Sequence, residues 1–139
     1  MEKYLLCLLR YDFCESTILE GSLEIMSRKK VLIVDDEVGL CLLMKAYFNR
    51  KNYEVYLAHS LSEGIKELQK ISPDVLFIDN NLPDGYGWDI IGEMSEKFPN
   101  TKYHLTSAFR SVLPTDVDRS KITLWEKPIS LKDLDRVFE

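Results

Sequence analysis

The sequence predicts an α/β fold, a single doubly wound sheet of five parallel strands with helices on both faces. Three observations carry that prediction. Apolar, β-branched-rich runs recur at Val31–Val34 and Val75–Ile78, as strands buried on both faces require. Longer segments with apolar residues at helical spacing lie between such runs. The chain has 139 residues, 45% hydrophobic and 29% charged, enough for one closed core with little room for a second domain.

In order, Val31–Val34 is the first strand. Val38 to Arg50 is a helix, with Leu42, Leu43, Ala46 and Tyr47 at helical spacing. Tyr53 to Ala58 reads as the second strand. Ser60-Leu61-Ser62-Glu63 has the form of a capping box, opening a helix that carries Ile65 and Leu68 to Ile71. Pro73 stops it, and Val75–Ile78 is the third strand. The turn-rich stretch Leu82-Pro83-Asp84-Gly85-Tyr86-Gly87 leads into a helix from about Trp88 to Lys97, ended by Pro99. Lys102 to Leu105 is a fourth strand, less apolar because of His104. A weak helix is expected between Phe109 and Arg119, interrupted near Pro114. Ile122 to Trp125 is the fifth strand, and Ser130 caps a last short helix, Leu131 to Phe138. Right-handed crossovers leave few topologies for this count, the flavodoxin-like order 2-1-3-4-5 being the commonest.

Composition excludes several classes of function. A net charge of −5, with no basic stripe, argues against direct nucleic-acid binding. No run reaches the length of a membrane span, and the apolar cluster Tyr4 to Leu9 is too short for a secretory signal. Cys7, Cys14 and Cys41 are odd in number and lack metal-ligand spacing, so reducing cytoplasm is the expected compartment. Among its leucine neighbours, Cys41 reads as a small buried hydrophobe.

Ligands of such sheets sit beyond the carboxyl ends of the strands, where strand order reverses. The residues there are Asp35, Asp36 and Glu37 after the first strand and Asp79, Asn80 and Asn81 after the third. Thr106 and Ser107 follow the fourth, and Glu126, Lys127 and Pro128 the fifth. The first and third strands are neighbours, so Asp35, Asp36 and Asp79 converge on one crevice. A like-charge pair at about 4 Å costs roughly 4 kcal/mol at an effective dielectric near 20. A hard divalent cation removes that repulsion, and Mg²⁺ suits carboxylates combined with water and phosphate oxygens. The Asn81 backbone carbonyl is a candidate further ligand. Lys127 offers a point charge and Thr106 a hydroxyl to a phosphoryl group. With the cation and the lysine the site is roughly neutral, able to receive a dianion.

Five fragments in register resemble the receiver domains of response regulators. They are Val31–Glu37 with its terminal Asp35-Asp36-Glu37, Phe77-Ile78-Asp79, Leu82–Gly87, Leu105-Thr106-Ser107-Ala108 and Lys127-Pro128. The resemblance covers about Lys29 to Phe138. It implies that Asp79 accepts a phosphoryl group from a histidine kinase or phosphotransfer protein. It further implies that Asp35 and Asp36 form the acidic Mg²⁺ pocket, Thr106 is the switch hydroxyl and Lys127 the phosphate-sensing lysine. A cis bond before Pro128 and a downstream target protein, unidentified, are implied as well. Such a domain is a phosphoacceptor switch rather than an enzyme, although it can catalyse its own phosphorylation from small donors and its own dephosphorylation. A receiver domain over 29–139 and an extension over 1–28, either poorly ordered or a docking helix, complete the expected organisation.

Two departures bear on output. The family's switch aromatic stands three residues before the lysine, where this chain has Leu124, with Trp125 next to it. Successive strand residues face opposite ways, so Trp125 does not simply replace it. The stretch Arg110 to Ser120 also lacks the family's usual pattern, on a surface that commonly serves partner binding or homodimerisation through the fourth and fifth strands and helices. The short last helix suits either a single-domain regulator or a fragment of something larger.

Bland readings compete at each position. Asp35 and Asp36 alone would be helix-capping acids, and only Asp79 on the adjacent strand turns the balance. Glu37 reads as a first-turn acid, Trp88 as packing, His59 and His104 as surface or sheet histidines. Two other functions compete with the switch. A haloacid-dehalogenase-like phosphatase needs an Asp-x-Asp pattern after its first strand and a cap domain, both missing from the pattern here. A constitutive interaction scaffold is favoured by Leu124 and the odd fourth helix, and disfavoured by the complete set of site residues.

Overall fold

The computed structural model describes residues 28–109, 113, 115 and 117–138. Its strands are β1 (Lys30–Val34), β2 (Glu54–Ala58), β3 (Val75–Asp79), β4 (Asn81–Leu82), β5 (Gly85–Tyr86), β6 (Lys102–Ser107) and β7 (Ile122–Glu126). Its α-helices are α1 (Val38–Arg50), α2 (Leu61–Ile71), α3 (Ile91–Lys97) and α4 (Leu131–Val137). Five strands make one parallel sheet in the order β2-β1-β3-β6-β7, the expected 2-1-3-4-5 once the minor β4–β5 ribbon is set aside.

Alternation along each strand divides the core into two layers. Val31, Ile33, Val75, Phe77 and Trp125 face α1 and α4, packing on Cys41, Met44, Phe48 and Leu134. Leu32, Val34, Leu76, Ile78, Tyr103 and Leu105 face α2 and α3, packing on Leu68, Trp88, Ile91 and Met94. The central strands β1 and β3 are buried on both sides, which explains their unbroken apolar sequence. Tyr47 Oη donates to Asp135 Oδ1 at 2.8 Å and ties α1 to α4.

Four expectations need correction. First, α1 buries Cys41, Met44, Tyr47 and Phe48, while Leu42, Leu43 and Ala46 are exposed. A helix offers one stripe to the sheet, and the larger rings take it: Phe48 lies 5.7 Å from Phe77 and 5.0 Å from Phe138. Second, the capping box at Ser60 is half formed. Ser60 Oγ accepts from Glu63 N–H, but Glu63 Oε2 accepts from His59 N–H, one residue further back. Third, the helix expected from Trp88 begins as a 3₁₀ turn over Gly87–Ile90 and becomes α-helical at Ile91. Fourth, the Leu82–Gly87 turn contains the β4–β5 ribbon. Strands three to five each run past their expected ends, to Asp79, Ser107 and Glu126.

The weak helix expected from Phe109 to Arg119 lies partly outside the described residues, and none of its described residues is α-helical; the expected extension, apart from Arg28, lies outside them. In the described part of the former region Val117 is buried, and a 3₁₀ turn, Arg119–Lys121, leads into β7. No helix among the described residues is long and apolar enough to cross a membrane.

Candidate functional site

The carboxyl ends of β1, β3, β6 and β7 bring the sequence-predicted residues together. Asp35 follows β1 and Asp79 ends β3. Both side chains belong to the α1 face of the sheet, and both residues are buried, at 3% and 4% exposure. Asp36 is exposed. One carboxylate oxygen from each of these three acids lies within 4.8 Å of the others. Thr106, 2% exposed, is the register partner of Asp79 on β6 and therefore shares its face.

Lys127 closes the crevice from beyond β7. Its Nζ lies 2.7 Å from Asp35 Oδ2, 3.5 Å from Asp79 Oδ2 and 3.6 Å from Glu37 Oε2. The Lys127–Pro128 bond is cis, as the resemblance implied, and Lys127 N–H donates to Ser107 O at 2.9 Å. Asp35 does not cap α1: its Oδ1 accepts at 2.9 Å from the N–H of Glu37, the N-cap residue itself, and α1 has no side-chain cap hydrogen bond. Asn81, the candidate source of a further oxygen, opens β4, and its backbone N–H bonds to the Asp79 carboxylate.

Electrostatics follow from this crowding. Burial, then the charge of Asp35, raises the Asp79 carboxyl above the usual carboxylate range, against the pull of Lys127 and the Asn81 N–H. Burial would pull the Lys127 amine down, but Asp35, Asp79 and Glu37 together hold it above the ordinary lysine value. The donor set is hard oxygen only, with more negative charge than one lysine neutralises. That composition fits Mg²⁺, and the three aspartates form a cluster able to hold a metal ion.

Other residues settle into supporting places. Cys41 is buried, its Sγ 3.3 Å from Asp35 O, and burial followed by the Asp35 charge pushes its thiol up to about 12. His59 places Nδ1 2.9 Å from the same carbonyl. His104 is a buried sheet histidine and Trp88 a core residue. Neither histidine belongs to the acidic cluster.

Three contributions escaped the sequence reading. Asp84 accepts from Leu61 N–H at 2.6 Å and Ser62 N–H at 2.9 Å, so the loop after β3 caps α2. Gly87 presses against the phosphoacceptor candidate's backbone, where a Cβ would stand 2.1 Å from Asp79 O. Glu37, read as a first-turn acid, reaches toward Lys127. Only the last left a trace in the sequence, by following two acids; the other two depend on a loop returning to a helix and a strand end.

Comparison with known proteins agrees with this geometry. The family model described as the response regulator receiver domain matches residues 31–135. The chain is 34% identical over 107 residues to the transcriptional regulatory protein TrcR of Mycobacterium tuberculosis, covering 76% of this chain and 42% of that one. It is 30% identical over 114 residues to the response regulator protein PilR of Pseudomonas aeruginosa, covering 82% of this chain and 25% of that one. The chain thus spans less than half the length of either relative. A CheY-like receiver domain from Methanospirillum hungatei shares the fold with a TM-score of 0.67 at 23% identity, covering 79% of this chain and 90% of that one. By its family match and its sheet topology, the chain belongs to the response regulator receiver domains, the phosphoacceptor switches of two-component signalling.

Proposed function

We propose that Asp79 is the phosphoacceptor and that the acids around it, with Lys127, form the transfer site. The observation that carries this reading is the burial of the Asp79 carboxylate beside Asp35, with Lys127 Nζ 3.5 Å away. An ionised Asp79 oxygen attacks the phosphorus of a phosphohistidine on a histidine kinase or phosphotransfer partner. The phosphorus–nitrogen bond breaks and its electron pair stays on the imidazole. Asp35, Asp36, Asp79 and the Asn81 carbonyl would hold Mg²⁺, which when bound supplies charge neutralisation. Lys127 pairs with one phosphoryl oxygen, and the Thr106 hydroxyl donates to another. Water later attacks the acyl phosphate, returning the carboxylate and inorganic phosphate.

The same site, on this reading, takes phosphate from small donors and releases it without a separate enzyme. Cytoplasmic residence suits a chain that exchanges phosphate with kinases. The exposed face around β6 and β7, with Leu124 at 51% and Phe109 at 74% exposure, is where an unidentified target or a second copy would dock. Incubation of the protein with acetyl phosphate and Mg²⁺ should give a base-labile acyl phosphate, absent from Asp79→Asn. An unlabelled wild type, or equal labelling of the variant, would overturn the assignment.

One observation favours a second reading, in which the domain is a constitutive scaffold. Leu124 stands where the family has its switch aromatic, and Trp125 turns to the opposite face, bonded to His104. Partner binding that beryllofluoride leaves unchanged would support that reading over the switch.

A further inference from the structure

A cavity of about 640 Å³ lies at the end of the sheet opposite the acidic crevice. Its walls come from residues that precede or begin strands: Lys29 before β1, Asp74 before β3, Lys102 in β6, and Lys121 and Thr123 at the start of β7. The acidic crevice uses residues at the other ends of the same strands, so the two sites share no wall.

Three properties of this cavity point to a ligand. Its size falls within the range of small-molecule sites, roughly 300–1,000 Å³. Its charge is positive, with Lys29, Lys102 and Lys121 set against a single acid, Asp74. That acid is already engaged, since its Oδ2 accepts from Lys30 N–H at 2.8 Å. Finally, the cavity has a buried donor. His104, 3% exposed, accepts at Nδ1 from Trp125 Nε1–H at 2.9 Å. The imidazole is neutral, because burial and then the Lys102 charge lower it to about 4. A neutral ring that accepts at Nδ1 carries its proton on Nε2. That N–H meets no protein acceptor among the described residues. His104 is one of the residues that line the cavity. Tyr53 and Phe138 add aromatic surface to the lining, their rings packed edge-to-face with centroids 6.4 Å apart.

We propose that this cavity is a binding site for a small aromatic carboxylate, its carboxylate accepting from His104 Nε2–H beneath the three lysines and its ring packed against Tyr53 and Phe138. An unpaired buried donor is satisfied by an acceptor, and an anionic acceptor makes the stronger bond. Aromatic surface beside the donor favours a ring over a hydrated inorganic ion.

The test is titration of the full chain with benzoate, followed by ¹H–¹⁵N resonances of the His104 ring and the Trp125 indole. Saturable, coupled shifts of both are expected at millimolar benzoate. Benzyl alcohol, the uncharged match, should bind about tenfold more weakly, as should benzoate to Lys102→Gln/Lys121→Gln. Unmoved resonances in the wild type would overturn the proposal, and the wild-type titration decides this without any variant. Equal affinity for benzyl alcohol, or undiminished affinity in the double variant, would overturn the anionic class of ligand.

Discussion

His104 makes acid sensitivity a calculable property of this fold. In the unfolded chain the imidazole titrates near 6.5, whereas in the folded protein burial and Lys102 lower it to about 4. The unfolded state therefore binds the proton more readily. The stability that neutral His104 preserves is full above 6.5 and drains away as the pH falls toward 4. A gap of about 2.5 units at 1.36 kcal/mol each limits the loss to about 3 kcal/mol, with about 2 kcal/mol gone by about pH 5. The geometry agrees on the sign, because protonating Nδ1 removes the acceptor for Trp125 Nε1–H, a bond made inside the core. Urea unfolding at about pH 7.5 and about pH 5 would measure it, comparing wild type with His104→Gln, whose amide oxygen can still accept from the indole. Subtracting the variant's change cancels the carboxylates common to both proteins. A residual difference near 2 kcal/mol is expected. If the variant loses as much stability as the wild type across that window, His104 is not the buried titrating group described here.

The acidic crevice and its supports give further expectations. Asp79→Asn should abolish acyl-phosphate formation yet raise the urea midpoint of the metal-free protein, since burial and Asp35 disfavour the ionised carboxyl it removes. Gly87→Ala should cost about 1–3 kcal/mol in urea unfolding and slow labelling by acetyl phosphate, because its Cβ would displace the Asp79 carbonyl. In a chain carrying Cys7→Ser and Cys14→Ser, Cys41 should stay unreactive toward a thiol reagent until the fold opens, its thiol being buried and pushed up to about 12.

Much of this architecture was legible because parallel sheets write a simple code. Val31–Val34 and Val75–Ile78 are apolar at every position since β1 and β3 are covered on both sides, and that continuity fixed their central place. Strand-end acids then followed from the topology, and Asp35, Asp36, Asp79, Thr106 and Lys127 all lie at one end of the sheet. Side-chain periodicity served α1 less well. Leucines outrank tyrosine and methionine in a hydrophobic pattern, yet Met44, Tyr47 and Phe48 fill the space beside Phe77, leaving Leu42 and Leu43 in solvent. Contacts between distant loops were illegible altogether. Asp84 caps α2 from 23 residues away, and no local pattern marks an acid that serves another element's amides. The tight 3₁₀ opening at Gly87 likewise depends on the approach of Asp79, which only the folded chain reveals.

On the proposed reading, Lys127 is what makes these residues suit a switch and not only a receptacle. Its amine sits 2.7 Å from Asp35 and 3.5 Å from Asp79, so the closer acid holds it in the unphosphorylated chain. On the proposed reading, a phosphoryl group on Asp79 brings added negative charge to that oxygen and draws the lysine toward it. The lysine's backbone is fastened to β6 through Lys127 N–H to Ser107 O, next to Thr106. On the same reading, a shift of Lys127 is felt along the strand that carries Thr106. A ligand moves an equilibrium only by its differential interaction with two states, and here the difference comes from one cation shared between competing acids. Leu124 leaves the outward relay without the family's aromatic, while Trp125 is bound to His104 in the opposite layer. The charge rearrangement is therefore expected to reach the surface through the β6 backbone and Thr106 rather than through a swinging ring.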